Sequence, residues 1–299
     1  MTEIASELKE FLRSRRARIR PEDTGLPLPG ESRRRVPGLR REELAQLAGI
    51  SADYYTRLEQ GRLRNVSEAV LNAVARVLCL DETERTYLYH LARPSRRRQR
   101  ASPAERVRPS MKWLLGSLTH APAYVLGRRT DIIAWNSLAS ALLMVDLDKL
   151  PPQQRNMARL IFLDEAARDL WHPWEKKARD TVGGLRMHAG VYADDPKLIN
   201  LVGELSLKSP EFDEMWAEHQ IWASPHGKVT FHHPLVGELD LSFQALSVPD
   251  ANDQSLVVYT AEPGSRADIG LRLLATWCET GASESSPGTP VQGRGDSQS

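Results

Sequence analysis

Cysteine is nearly absent: Cys79 and Cys278 are the two in 299 residues, and they lie far apart. A disulfide framework needs more thiols than this, so both are expected as buried free thiols. Long apolar runs are missing as well. No stretch approaches the roughly 20 apolar residues that span a bilayer. The opening MTEIASELKEFLRSRR mixes acids and arginines where a signal peptide would need an apolar run. The expectation is a cytoplasmic protein that does not engage a membrane. Signatures of catalysis are lacking too, since no HExxH, CxxC, GxSxG, P-loop or GxGxxG occurs. His232 and His233 are adjacent, so on a strand they point to opposite faces and cannot both bind one metal there. These absences argue against an enzyme, a metal site and a resident cofactor.

The charge, in contrast, is informative. The whole chain carries a net +1, yet residues 1–108 carry +8 and the remainder −7. A basic first third joined to an acidic remainder fits an N-terminal module for a polyanion and a C-terminal module for something else. RPSRRRQRASPAERVRP (93–109) has almost no apolar residues and cannot build a core, so it reads as a linker. The expected organisation is a helical domain over 1–92, a basic linker over 93–109, a mixed domain over 110–278 and a disordered Gly/Ser/Pro-rich tail over 279–299.

Within the first domain, Leu8, Phe11 and Leu12 share one face of a first helix. VSEAVLNAVARVLCL (66–80) repeats apolar residues with helical period, and DETERTYLYHLA (81–92) opens on the cap candidate Asp81. Between them lies LRREELAQLAGISADYYTRLEQGR (39–62). Its first helix stops at Gly49, which supplies a left-handed terminus without a Cβ penalty. Ile50 drops inward and Ser51 caps a second helix, in which Tyr55 and Leu58 face the core while Ala52, Asp53, Thr56 and Arg57 face outward. Two short helices at a sharp angle form a helix-turn-helix, or else a plain corner in a helical core. ELAQLAGIS…RLEQGR resembles the lambda-repressor-like (XRE) helix-turn-helix family over about residues 5–80. That resemblance implies five helices, and Gly49, Ile50, Leu58, Glu59 and Gly61 fall at its signature positions.

The resemblance implies that double-stranded DNA meets the helix behind Ser51, with Ala52, Asp53 and Arg57 at base-facing positions and Arg41 at a phosphate. Arg57 either makes a bidentate contact with guanine or touches phosphate. Asp53 either accepts from cytosine or stabilises the first turn of its helix. Glu59 is expected to pair with an arginine of the first helix. The loop at about 20–38 is longer than usual for the family, and its Arg33, Arg34 and Arg35 either reach a phosphate or minor groove or are simply solvated.

In the second half, APAYVLGRRTDIIAWN (121–136) reads as a hairpin turning at Gly127–Asp131. Residues 152–222 read as helical and Trp-rich, 228–248 as two strands about Gly237, 254–263 as another strand and 267–277 as a closing helix. SPEFDEMWAEHQ, KVTFHHPLVGELDLSFQALSVP and YTAEPGSRADIGLRLLATW, together with the helix-turn-helix segment, resemble the MmyB-type regulators over most of residues 5–277. This implies an α+β protein: an all-α five-helix DNA-binding domain, then a PAS-like domain that holds a small apolar ligand, with fatty acids the best-supported class. The pattern nominates Trp135, Leu142, Phe162, Trp174, Leu185, Trp216 and Phe243 as pocket wall or plain core. Arg186 or His188 is nominated as the donor for a carboxylate head group. PAS-like folds also hold haem or flavin, which a visible absorption spectrum would reveal. The expected behaviour is that of a ligand-responsive regulator acting as a homodimer. The alternative is a DNA-binding scaffold whose second domain docks a protein partner.

Overall fold

The computed structural model describes residues 3–24, 38–63, 66–93, 106–192, 195–218, 225–249, 251 and 253–284. Five helices build the first domain: α1 (Glu3–Arg18), α2 (Arg41–Ala48), α3 (Ala52–Glu59), α4 (Glu68–Val77) and α5 (Glu82–Ala92). Their apolar faces meet in one core around Leu8, Phe11, Leu12, Leu44, Tyr55, Leu71 and Tyr87. The helix starts are locally encoded. Ser51, Ser67 and Asp81 each accept the backbone N–H three residues on, and Arg40 N–H donates to the Glu43 carboxylate at 2.7 Å. Cys79 is free but exposed, which departs from the buried thiol expected. It lies just past α4 with a left-handed φ of 50°, where the chain turns out of the core. Arg33, Arg34 and Arg35, like most of the 93–109 linker, lie outside the described residues.

The second domain opens with α6 (Pro109–Ser117), a helix the sequence patterning missed. Then follow β1 (Ala123–Leu126), β2 (Ile132–Trp135), α7 (Ser137–Leu142), α8 (Met157–Leu163), α9 (Ala166–Leu170), β3 (Trp171–His172), α10 (Trp174–Val191), α11 (Pro196–Lys208), α12 (Pro210–Ala217), β4 (His226–His233), β5 (Gly237–Ser247), β6 (Ser255–Thr260) and α13 (Arg266–Glu284). The strands form one antiparallel sheet in the order β2-β1-β6-β5-β4-β3. The architecture is α+β, as expected. β3 is a two-residue strand inside the stretch read as wholly helical, and it pairs Trp171 with Phe231. α13 continues to Glu284, past the boundary set at 278 and through Gly281. Cys278, on that helix, is free and half-buried.

Alternation along the strands decides what each sheet face does. Tyr124, Val257, Tyr259, Phe243, Leu241 and Phe231 project to one side, toward α7–α12, and join the main core. Ala123, Val125 and Leu256 project to the other, under Leu115 of α6. Among the described residues, no helix is long and apolar enough to cross a membrane.

Candidate DNA-binding helix and ligand cavity

The break at Gly49 sets the angle of α3. Gly49 has φ 69°, its N–H closes on Gln46, and Ile50 N–H closes on Ala45, so the chain leaves α2 by a left-handed cap. Tyr55 and Leu58 then anchor α3 in the core, whereas Ser51, Ala52, Asp53 and Arg57 stay exposed. Thr56 is half-buried, and its hydroxyl donates back to the Ala52 carbonyl at 2.8 Å. The geometry leaves Arg57 as the outward cation of this helix.

Glu59 is 0% exposed and holds the domain together from beneath. Its carboxylate accepts from Arg16 Nε of α1 at 3.2 Å and from Arg41 Nε at 2.8 Å. Arg16 also donates to the Leu39 carbonyl at 2.6 Å. The pairing of Glu59 with the first helix thus matches expectation. Arg41, expected at a phosphate, gives its Nε and Nη2 to Glu59, and the side chain remains 44% exposed. The pull of a fully buried carboxylate on a cation one helix away accounts for this placement.

Between the sheet and α10 lies a cavity of about 320 Å³. Val257, Tyr259, Tyr124 and Phe243 of the strands line it on one side, and Lys177, Asp180, Thr181, Gly184 and His188 of α10 on the other, with Met157 and Trp171 at an end. The α10 residues recur at helical spacing and so form one stripe. A second cavity of about 250 Å³ shares the Met157 and Trp171 wall.

Of the nominated wall residues, Phe243 lines the larger cavity, and the others do not line either one. Leu142 and Leu185 are fully buried core residues. Phe162 packs edge-on to Trp174 and Phe212, and Trp174 Nε1 donates to the Ile161 carbonyl at 3.1 Å. Trp135 lies beneath the Arg155 guanidinium, and Trp216 stacks on Phe212. Large apolar side chains in this domain fill core, while the cavity opens where α10 carries small or polar ones.

Arg186 is also placed otherwise than nominated. It is 1% exposed and sits on the side of α10 opposite the cavity stripe, because the side chains of residues 184 and 186 diverge by about 200° around the helix. Its Nη1 donates to Glu7 of α1 at 2.7 Å, its Nη2 donates to the Trp216 carbonyl, and its guanidinium lies 4.1 Å from the Trp216 ring centre. Tyr87 of α5 donates to the same Glu7 oxygen at 2.7 Å. Gly190, one turn on, packs so closely against Tyr87 that a Cβ there would sit 2.3 Å from the ring. Arg186 therefore joins the two domains.

Five basic side chains do line the cavity: His172, Lys176, Lys177, His188 and Lys228. His188 is held neutral, since burial lowers its pKa despite its bond to the Gly184 carbonyl at 3.0 Å. That carbonyl can only accept, so Nδ1 carries the proton and the ring offers no charge to a carboxylate. Lys177 is different. Its ammonium stands 4.5 Å from the Trp171 ring centre, and it has no ion-pair partner among the described residues, because Asp180 pairs with Lys176 at 3.2 Å. Desolvation lowers its pKa to about 8, Asp180 partly opposing it. Periodicity gave no hint of this role, since a lysine beside a lysine on a helix usually marks a solvated face.

Comparison with known proteins agrees with this architecture. Residues 7–88 match a family model described as a helix-turn-helix domain. Residues 107–274, more than half of the chain, match one described as the MmyB-like transcription regulator ligand binding domain. No individual curated protein matches the chain at a significant level. The two matched regions meet the two folded domains, and the chain belongs to the MmyB-like transcription regulators, with a helix-turn-helix domain ahead of the ligand-binding one.

Proposed function

We propose that this DNA-binding transcription regulator reads duplex DNA with α3 as a homodimer on a two-fold related site, and responds to a small apolar molecule with an anionic end, such as a fatty acid. The observation that carries the ligand reading is the cavity itself. Its walls are largely apolar. Of the three lysines in its lining, Lys176 pairs with Asp180 and Lys228 is exposed, whereas Lys177 is half-buried against Trp171 with no carboxylate partner among the described residues. A partly desolvated charge such as this one is costly unless paired, so an incoming carboxylate would supply what the fold leaves out. Mass spectrometry of small molecules released from denatured protein tests the reading. A stoichiometric apolar acid that alters DNA affinity supports it. Recovery of nothing, together with no binding from a lipid panel, rejects it.

Two consequences can be measured. Arg57→Ala should weaken binding to the specific site by about 1–3 kcal/mol and relax base preference there. An equal loss on random DNA would reduce Arg57 to a phosphate contact. For the ligand, affinity for a long-chain carboxylate should fall as pH rises through about 8, where the ammonium of the empty cavity loses its proton. The sign follows because only the charged lysine attracts the carboxylate, and below that pH it is charged. Lys177→Met should remove this pH dependence and cost on the order of tenfold or more near pH 7. An unchanged titration curve in the variant would move the head group elsewhere.

One observation favours the scaffold reading. Ile269, Leu273 and Trp277 recur four residues apart on α13, each more than half exposed, so they form an apolar stripe suited to a protein surface. Sedimentation of the purified chain distinguishes self-association from recruitment of another protein.

A further inference from the structure

The cavity contains a second polar station, on the sheet side. Tyr124 of β1 and Tyr259 of β6 lie on the same sheet face, and their hydroxyl oxygens are 2.9 Å apart. Both side chains are 1% exposed and both line the cavity. Burial pushes both phenols above their ordinary pKa, so each keeps its proton. Two hydroxyls carry two protons, yet one bond joins them. Whichever oxygen donates, the other's proton has no acceptor among the described residues. The rings packed around Tyr259 are those of Trp171, Phe231 and Phe243, which supply no oxygen or free lone pair. An unmet donor buried among aromatic rings at the cavity wall is a demand for an acceptor.

We propose that the molecule held here carries, besides its anionic end, a neutral hydrogen-bond acceptor within its apolar body, an oxo or hydroxyl oxygen that takes the spare proton of the Tyr124–Tyr259 pair. The inference rests on the cavity being the ligand site, and it narrows the class from plain fatty acids to oxygenated ones. Spacing follows from the wall between the two stations. The Trp171 ring lies 4.5 Å from the Lys177 ammonium and its centre 6.4 Å from that of Tyr259. The ammonium and the Tyr259 ring centre are therefore no more than about 11 Å apart, so one chain can reach both stations. A plain chain would cover the hydroxyls and leave the donor unsatisfied, whereas an oxo chain would satisfy it.

The test compares hexadecanoic acid with a set of its mono-oxo derivatives, the ketone placed at successive mid-chain carbons, by calorimetry on the full chain. At least one oxo acid should bind roughly tenfold to a hundredfold more tightly than hexadecanoic acid. The preference should survive Tyr124→Phe or Tyr259→Phe alone, since either remaining hydroxyl can donate, and vanish in the double variant. The infrared ketone band of the bound oxo acid should also lie lower than in hydrocarbon, a readout that needs no variant. Equal or weaker binding of every oxo acid overturns the proposal, as does a preference that persists in a folded double variant or a ketone band unshifted from hydrocarbon. Failure of both hexadecanoic and oxo acids to bind instead overturns the underlying ligand reading.

Discussion

Replacing Glu59 by leucine should lower the stability of the N-terminal domain by about 3–5 kcal/mol, because it leaves a buried guanidinium without its counter-charge. Glu59 is fully buried and Arg16 nearly so, and the pair joins α3 to α1 while Arg41 brings in α2. A domain of this size has a stability of only about 5–15 kcal/mol, so the loss is a large fraction of the whole. Removing both charges by Arg16→Met together with Glu59→Leu should recover part of it, since an apolar pair of similar volume avoids the desolvation cost. Denaturation followed by far-ultraviolet circular dichroism reports on both domains. All seven tryptophans lie at residue 113 or beyond, so their fluorescence reports on the second domain. The variant should show an early dichroism transition with the fluorescence transition in place. A single variant that melts like the wild type would mean that Arg16 finds adequate solvation without Glu59, and the pair would then be incidental to the angle of α3.

Much of the N-terminal domain could be read from neighbouring residues, because caps and breaks are local events. Gly49 ends α2 and Ser51 caps α3, each as its near sequence implies. Glu59 meets an arginine of α1 that is 43 residues away, as expected although no local rule dictates it. Strands β1, β2, β4, β5 and β6 were legible for the same local reason, being set by alternation and by turns at Gly127 and Gly237, whereas the two residues of β3 are too few to show alternation. The cavity was not. Choosing large apolar residues as wall candidates selects for core, and Leu142, Leu185 and Phe162 went there. The stripe on α10 that faces the cavity runs Lys177, Asp180, Thr181, Gly184 and His188, which in sequence looks like a solvent face. Only the packing of α10 against the sheet, decided by residues some 60 to 80 positions away, turns that stripe inward. Arg186 shows the same limit, because its partner Glu7 belongs to the other domain.

Arg186→Met should abolish most of the influence of ligand on DNA affinity while leaving each binding event intact. Helix α10 has two working sides. One lines the cavity with Lys177 and His188, and the other holds the DNA-binding domain through Arg186–Glu7, through Tyr87 to the same carboxylate, and through Gly190 against the Tyr87 ring. Glu7 lies on α1, whose far end is tied to α3 through Arg16 and Glu59. A ligand that shifts α10 thus acts on a packed contact that leads to the recognition helix. Such a contact transmits a signal only if the two arrangements hold the ligand with different affinity, and couplings of this kind are typically worth about 1–3 kcal/mol. Without the guanidinium, Glu7 keeps Tyr87 and partial access to water, so the N-terminal domain should stay folded. The second domain keeps its cavity because Arg186 takes no part in it. Gly190→Ala offers an independent route to the same end, since its Cβ would push Tyr87 away from Glu7. DNA affinity measured with and without ligand gives the coupling directly. In both variants the ratio should fall toward one, with ligand affinity and ligand-free DNA affinity within about threefold of the wild type. A ratio unchanged in both would sink the idea and send the signal through the dimer interface instead. By reciprocity, the same variants should erase any effect of DNA on ligand affinity to the same extent.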